Sequence, residues 1–131
     1  MKKISNIVLF LVIAFVTYQN FFYNRAEADA KISYQKMLDG KALLIDVREE
    51  SEIKAGMIKG AQWIALSQIE HDRKVQMEKI KSLTKDKEVY LYCRSGARAN
   101  KVKTYLEDVG INAVNLGGYS QLTEAGLPSN N

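Results

Sequence analysis

The chain changes its hydrophobic rhythm once, sharply. Residues 7–16, Ile-Val-Leu-Phe-Leu-Val-Ile-Ala-Phe-Val, are apolar without a break, whereas from residue 32 onward short apolar runs alternate with amphipathic stretches. Residues 43–47 (Leu-Leu-Ile-Asp-Val) and 88–92 (Glu-Val-Tyr-Leu-Tyr) are too short for helices and are apolar at consecutive positions. That is the mark of strands covered on both faces of a sheet. Further strands are expected at 61–65 and 112–116. Helices fit between them. The first is 34–38, with Ser33 as N-cap and Gly40 as stop. The next is 49–55, ended by Gly56. Residues 67–83 follow, with Ser67 as N-cap, Ile69, Val75, Met77, Ile80 and Leu83 as apolar positions, and a break near 72–74. In 99–109, Ala99, Val102, Tyr105, Leu106 and Val109 share one face before Gly110. A last helix, 119–125, comes after a Gly117-Gly118 turn. Strand alternating with helix gives an α/β fold of three layers, a central and mostly parallel sheet flanked by helices.

Lys2 and Lys3 ahead of the 7–16 run make up the basic and apolar regions of a secretory signal. Ala26-Glu27-Ala28 and Ala28-Asp29-Ala30 each offer a small-residue cleavage pattern, although residues 17–25 make the spacing long. A retained anchor is the alternative, since residues 4–23 are long enough to span a bilayer, diluted by Ser5, Asn6, Gln19 and Asn20. Residues 1–30 are therefore expected to be a signal peptide or membrane anchor, and 31–131 the folded domain. Either way the domain is expected outside the cytoplasm, periplasmic or membrane-attached, because the two lysines hold the N-terminus inside.

The chain has 131 residues, which leaves room for one domain of about a hundred residues after the leader. Its formal charge of +4 is set largely by the leader: from residue 29 onward there are 16 basic and 14 acidic residues. A nearly neutral domain is not a nucleic-acid binder, which needs a clear excess of Lys and Arg on one face. The single cysteine excludes an intrachain disulfide and any Cys-x-x-Cys motif, and with one histidine no protein metal site or cofactor is expected. His71, among charged residues, is assigned to the surface, and Trp63 to packing. Whatever chemistry the domain performs must use one thiol.

That thiol has telling neighbours. Cys93-Arg94-Ser95-Gly96-Ala97-Arg98 follows the 88–92 strand and leads into the 99–109 helix. A lone cysteine at a strand end is ordinarily a small core hydrophobe. Here it opens a strand-loop-helix turn, where the first amides of the helix lack intrahelical partners and the macrodipole is positive. Anions bind at such places. With two guanidinium groups close by, Cys93 is expected to be held largely as thiolate, the nucleophilic form. Arg94 and Arg98 have the geometry to grip an oxyanion. The backbone amides of Arg94, Ser95, Gly96, Ala97, Arg98 and Ala99 would form an anion nest.

The same loop, with Leu44-Ile45-Asp46-Val47-Arg48, Gly56-Met57-Ile58-Lys59-Gly60-Ala61 and Asn115-Leu116-Gly117-Gly118, resembles the single-domain rhodaneses, the thiosulfate sulfurtransferases, over residues 32–128. The resemblance implies a rhodanese-like fold and an exported sulfurtransferase. It would move sulfane sulfur from thiosulfate to cyanide or a thiol through a persulfide on Cys93, with Asp46 and Arg48 as a structural pair supporting the loop. Met57, Ala65 and Tyr119 depart from residues common in the family and bear on substrate preference. An exported persulfide carrier or a rhodanese-like binding module without significant turnover is the alternative. A cysteine phosphatase or arsenate reductase is disfavoured, because four residues between Cys93 and Arg98 make a tighter ring than the five such enzymes use to surround phosphate.

Overall fold

The computed structural model describes residues 5–130, and of residues 23–28 the backbone alone. Its elements run α1 (Asn6–Leu38), β1 (Ala42–Asp46), α2 (Glu50–Ile53), β2 (Met57–Ile58), β3 (Gln62–Trp63), α3 (Leu66–His71), α4 (Arg73–Leu83), β4 (Glu88–Cys93), α5 (Ala97–Asp108), β5 (Ala113–Gly118), α6 (Tyr119–Glu124) and β6 (Ser129–Asn130). Four strands pair in the order β3-β1-β4-β5, all parallel, and β2 with β6 forms a separate antiparallel ribbon. The sheet register sets Asp46 level with both Trp63 and Tyr92. The C-terminal ends of the three strands therefore lie together, and Cys93 follows at that edge.

Alternation along the strands divides the core into two layers. Ile45, Val47, Leu91 and Cys93 face α3, α4 and α5, meeting Ile69, Met77, Ile80, Val102 and Leu106. Leu44, Tyr90 and Tyr92 face the other way, toward Ala30 of α1, Ile58, and Leu122 of α6. Strands with apolar side chains on both faces have a helix layer on each, which is the arrangement the pattern of β1 and β4 requires. The expected three-layer α/β fold is the one observed.

The details depart from the sequence reading where local signals compete with packing. The predicted short helix at 34–38 is the last part of a continuous α1. Ser33 is not a cap: it is buried, and its Oγ donates to the Asp29 carbonyl at 2.7 Å inside the helix. Gly40 does end the helix, with φ +74°. The 67–83 region splits at Asp72, whose backbone is non-helical and whose carboxylate accepts from Val75 N at 3.3 Å to start α4. Ser67 lies inside α3, where its Oγ donates to Glu49 at 2.7 Å. Val75, Leu83 and Val109 are exposed at the ends of their apolar stripes, beyond the reach of the sheet. β5 extends through Gly117 and Gly118, which are strand rather than turn.

The last turns of α1 belong to the domain. Ala30 and Ser33 are buried, the Tyr34 hydroxyl donates to the Lys59 carbonyl at 3.1 Å, and Lys36 pairs with Glu88 at 3.0 Å. The boundary drawn at residue 30 thus falls within α1. Its first half is different: Ile7 to Ile13 are all half-exposed or more. Among the described residues no helix is long and apolar enough to cross a membrane.

Leu91 is wholly buried in a central strand. Leu91→Ala is expected to cost about 3 kcal/mol in urea unfolding, while Val114→Ala, at an exposed edge-strand position, is expected to shift stability by less than about 0.5 kcal/mol.

Candidate active site

Cys93 ends β4, and its side chain is entirely buried. It is the floor of the strand-loop-helix turn rather than its mouth, because the loop curls over it. The Gly96 amide donates to Sγ at 3.0 Å. Gly96 is also the N-cap of α5, with φ +97°, a left-handed conformation that favours glycine and turns the amide toward the sulfur. The first intrahelical bond of α5 runs from Asn100 N to Gly96 O at 3.0 Å. The amides of Ala97, Arg98 and Ala99 precede it, as an anion nest requires. Ser95 and Ala97 are exposed on the loop, while Gly96 and Ala99 are buried and offer backbone only.

The loop is held from β5. Asn115 donates from Nδ2 to the Gly96 carbonyl at 2.8 Å and accepts from Gly117 N at 2.9 Å, so both ends of its amide are used. Gly118 stands opposite Cys93 in the register, after an irregularity in the pairing. A Cβ there would overlap the Arg94 carbonyl oxygen. Asn115 is a site residue the sequence reading missed; its sole signal was its place in the Asn-Leu-Gly-Gly motif.

Asp46 and Arg48 form the expected pair at the end of β1. Arg48 donates Nε and Nη2 to Asp46 Oδ2 at 3.0 and 2.8 Å, and Nη2 also reaches the Gly56 carbonyl at 2.7 Å. Both side chains are buried. The guanidinium packs 4.2 Å from the Tyr119 ring centroid, and Tyr119 stacks on Tyr92, the residue before Cys93. Burial, together with the neighbouring Asp46, pushes the Tyr92 hydroxyl well above its ordinary value, so it stays protonated. The same hydroxyl accepts from Ile58 N at 3.0 Å, tying β2 to β4. Trp63 donates its indole N–H to the Arg48 carbonyl at 2.8 Å, a packing role.

The two loop arginines separate. Arg94 is exposed, but Arg98 is not a free fork: its two terminal nitrogens donate to the two oxygens of Glu52 on α2, each at 2.6 Å. In this structure the guanidinium expected to hold the donor anion is turned to Glu52. Glu52 is itself placed by accepting from Glu49 N at 2.9 Å. The Arg98 hydrogen bonds outweigh burial and hold the Glu52 carboxyl down at about 2, while Arg98 is held above its ordinary value chiefly by Glu52. The pair clamps α2 to α5 beside the sulfur. Glu52 was overlooked because it reads as one more charge on a short surface helix. Among the described residues no cluster of His, Cys, Asp and Glu could hold a metal ion.

A cysteine under a loop whose Gly96 amide meets its sulfur stands at the C-terminal edge of a parallel sheet, where open α/β domains carry their ligand sites. The rhodanese-like domain model matches residues 30–125, and the chain belongs to that family. It is 41% identical over 80 residues to YtwF of Bacillus subtilis (strain 168), provisionally named a sulfurtransferase, covering 61% of this chain and 71% of the relative. It is 36% identical over 105 residues to a protein of Allochromatium vinosum named a sulfurtransferase, covering 78% of this chain and 92% of that one. Among solved structures it resembles the human single-domain sulfurtransferase TSTD1, with 26% identity, a TM-score of 0.57, and 70% and 88% of the two chains covered.

The Glu52 carboxyl, ordinarily near 4.5, is at about 2 in the folded state. The ion pair therefore stabilises the fold fully above pH 4.5 and loses its contribution as pH falls toward 2. Glu52→Gln is expected to cost about 1–2 kcal/mol at neutral pH, allowing for solvent screening. Urea titrations of both proteins across the acid range should show that difference shrinking below the ordinary carboxylate range.

Proposed function

We propose that the domain is a sulfurtransferase that takes sulfane sulfur from thiosulfate and passes it to cyanide or a thiol through a Cys93 persulfide. The observation that carries this is the Gly96 amide aimed at Sγ at 3.0 Å. An amide in that position stabilises negative charge on the cysteine sulfur, or on a sulfur attached to it, without a general base. Sulfurtransferase names among the relatives support the reaction class.

In the proposed reaction the Cys93 thiolate attacks the outer sulfur of thiosulfate. A new S–S bond forms, the thiosulfate S–S bond breaks, and its electron pair leaves with sulfite. Cyanide carbon, or a thiolate, then attacks the outer persulfide sulfur; thiocyanate or a new persulfide departs and the Cys93 thiolate is restored. Charge balances in both steps and no oxidant is needed. Arg94, exposed at the loop, is the guanidinium placed to meet the incoming dianion. Arg98 acts through Glu52 by holding α5 and the loop in place.

We further infer that the domain is held at a membrane by a retained N-terminal helix. Support comes from Lys2 and Lys3 before the apolar run, and from Ala30 being buried. Cleavage after Ala28 or Ala30 would cut α1 beside its docked turns.

Incubation with thiosulfate and cyanide tests the reaction. Wild type is expected to form thiocyanate and, without acceptor, to gain the mass of one sulfur; Cys93→Ser is expected to do neither. A mass gain without turnover would favour a carrier, and no gain would defeat the proposal. Arg98→Ala is expected to lower kcat/KM for thiosulfate by about tenfold, the equivalent of about 1.4 kcal/mol, with rescue by Arg98→Lys only in part. Intact mass of the native protein should start at or near Met1 if the helix is retained; a start at residue 29 or 31 would count against retention.

A further inference from the structure

We propose that the sheet edge carrying the catalytic loop is the face of this domain that lies against a lipid bilayer, so that Cys93 works at the level of the phospholipid headgroups. This rests on the reading that α1 is retained at a membrane, and adds to it a direction.

The direction follows from how α1 joins the sheet. Only Asp39, Gly40 and Lys41 separate α1 from β1, so the chain reverses and the two run antiparallel. Lys36, near the end of α1, pairs with Glu88, the first residue of β4. One turn or so earlier, the Lys31 side chain lies beside Gly126, just past α6, which itself starts at the residue after Gly118. Traced backward, α1 therefore climbs from the N-terminal edge of the sheet toward the edge that holds Cys93. From Glu88 to Cys93 a strand rises about 17 Å. A helix covers that in about 11 residues, which brings α1 level with Cys93 near residue 25. The apolar side chains of residues 7–22 thus stand beyond the catalytic edge, on its side of the domain.

The occupant follows from how those side chains are distributed. The seven consecutive residues from Ile7 to Ile13 are each 50–72% exposed. Seven in a row go right round a helix, leaving no polar stripe. A groove or a partner helix covers one side of such a cylinder, whereas hydrocarbon covers all of it. At the end nearer the domain come Tyr18, Phe21 and Phe22, exposed and in ring contact. They are the aromatic residues favoured where hydrocarbon meets headgroups. Tyr18 to residue 25 is about 10 Å of helix, comparable to the thickness of a headgroup layer. The exposed Arg94 at the loop then faces lipid phosphates rather than bulk water. A small anion can still reach Cys93 along the membrane surface. A large thiol acceptor must itself be held at that surface.

The test uses the full chain in vesicles of equal parts phosphatidylcholine and phosphatidylglycerol, with a headgroup-spin-labelled phosphatidylcholine as quencher. Cys93→Ser removes the native thiol, and a bimane is attached through Ser95→Cys at the catalytic edge or through Lys85→Cys at the opposite edge. Quenching at position 95 is expected to exceed that at 85 by about threefold or more, given an edge-to-edge distance of about 17 Å. Equal or reversed quenching of vesicle-bound protein would overturn the orientation while leaving the membrane reading intact. Protein that stays in the supernatant on flotation, as monomer or as an oligomer joined through α1, would overturn both. Far-ultraviolet circular dichroism identical to wild type establishes that each labelled chain is folded.

Discussion

Two backbones come closer at the candidate site than side chains would allow, and the shape of the loop depends on it. Gly118 stands opposite Cys93, and a Cβ on it would collide with the Arg94 carbonyl. Because that space is empty, the chain leaving β4 can bend immediately toward β5, where Asn115 receives it by donating to the Gly96 carbonyl. That bond holds Gly96 at its carbonyl, and the amide of the same residue, in the preceding peptide plane, meets Sγ. Shape and electrostatics are therefore one feature here. The amide that would stabilise charge on sulfur is turned by the left-handed backbone of Gly96 and kept there by a side chain from the adjacent strand.

The charged residues around this loop are mostly occupied with one another. Asp46 and Arg48 are buried together, and burial of an ion pair is costly unless every lone pair and proton finds a partner. Here the guanidinium also meets the Gly56 carbonyl and the Tyr119 ring, and no buried polar side-chain atom among the described residues is left without a hydrogen bond. Glu52 likewise consumes both terminal nitrogens of Arg98. The positive character of the loop then comes from the first turn of α5 and from Arg94. A single exposed arginine beside a helix N-terminus makes a weaker positive field than two free guanidinium groups would.

Periodicity made the central architecture legible. β1, β4 and α5 carry patterns strong enough to survive packing, and their order alone specifies a parallel sheet covered on both sides. The two-residue strands β2 and β6 carry no pattern at all; their pairing is decided by where the segment after α6 passes the mid-chain residues Met57 and Ile58. Ser33 misled because a serine ahead of an apolar stretch is a cap only if the chain before it is not already helical. Glu52 and Asn115 were hidden for a different reason. Their partners lie 46 and 19 residues away in sequence, and no local rule connects an exposed-looking glutamate to an arginine that distant. The loop itself was legible because its chemistry is compressed into six consecutive residues, although the depth of the sulfur was not.

The N-terminal helix joins the two halves of the molecule in a way that the division into leader and domain conceals. Its last turns are an ordinary part of the second core layer: Tyr34 and Met37 pack with Leu44, Ile58 and Tyr90. Lys36 reaches across to Glu88 at the start of the strand that ends in Cys93. A helix with one end packed on a sheet transmits direction along its length, since α1 runs from Asn6–Leu38 without a break. The direction in which Ile7 to Ile13 stand from the sheet is therefore set by the packed end of the helix. A flexible linker would let the sheet edge that holds Cys93 sample every orientation relative to them, whereas a docked helix confines it to a narrow set. The residues that complete the second core layer are the same ones that decide how that edge is turned relative to the apolar half of α1.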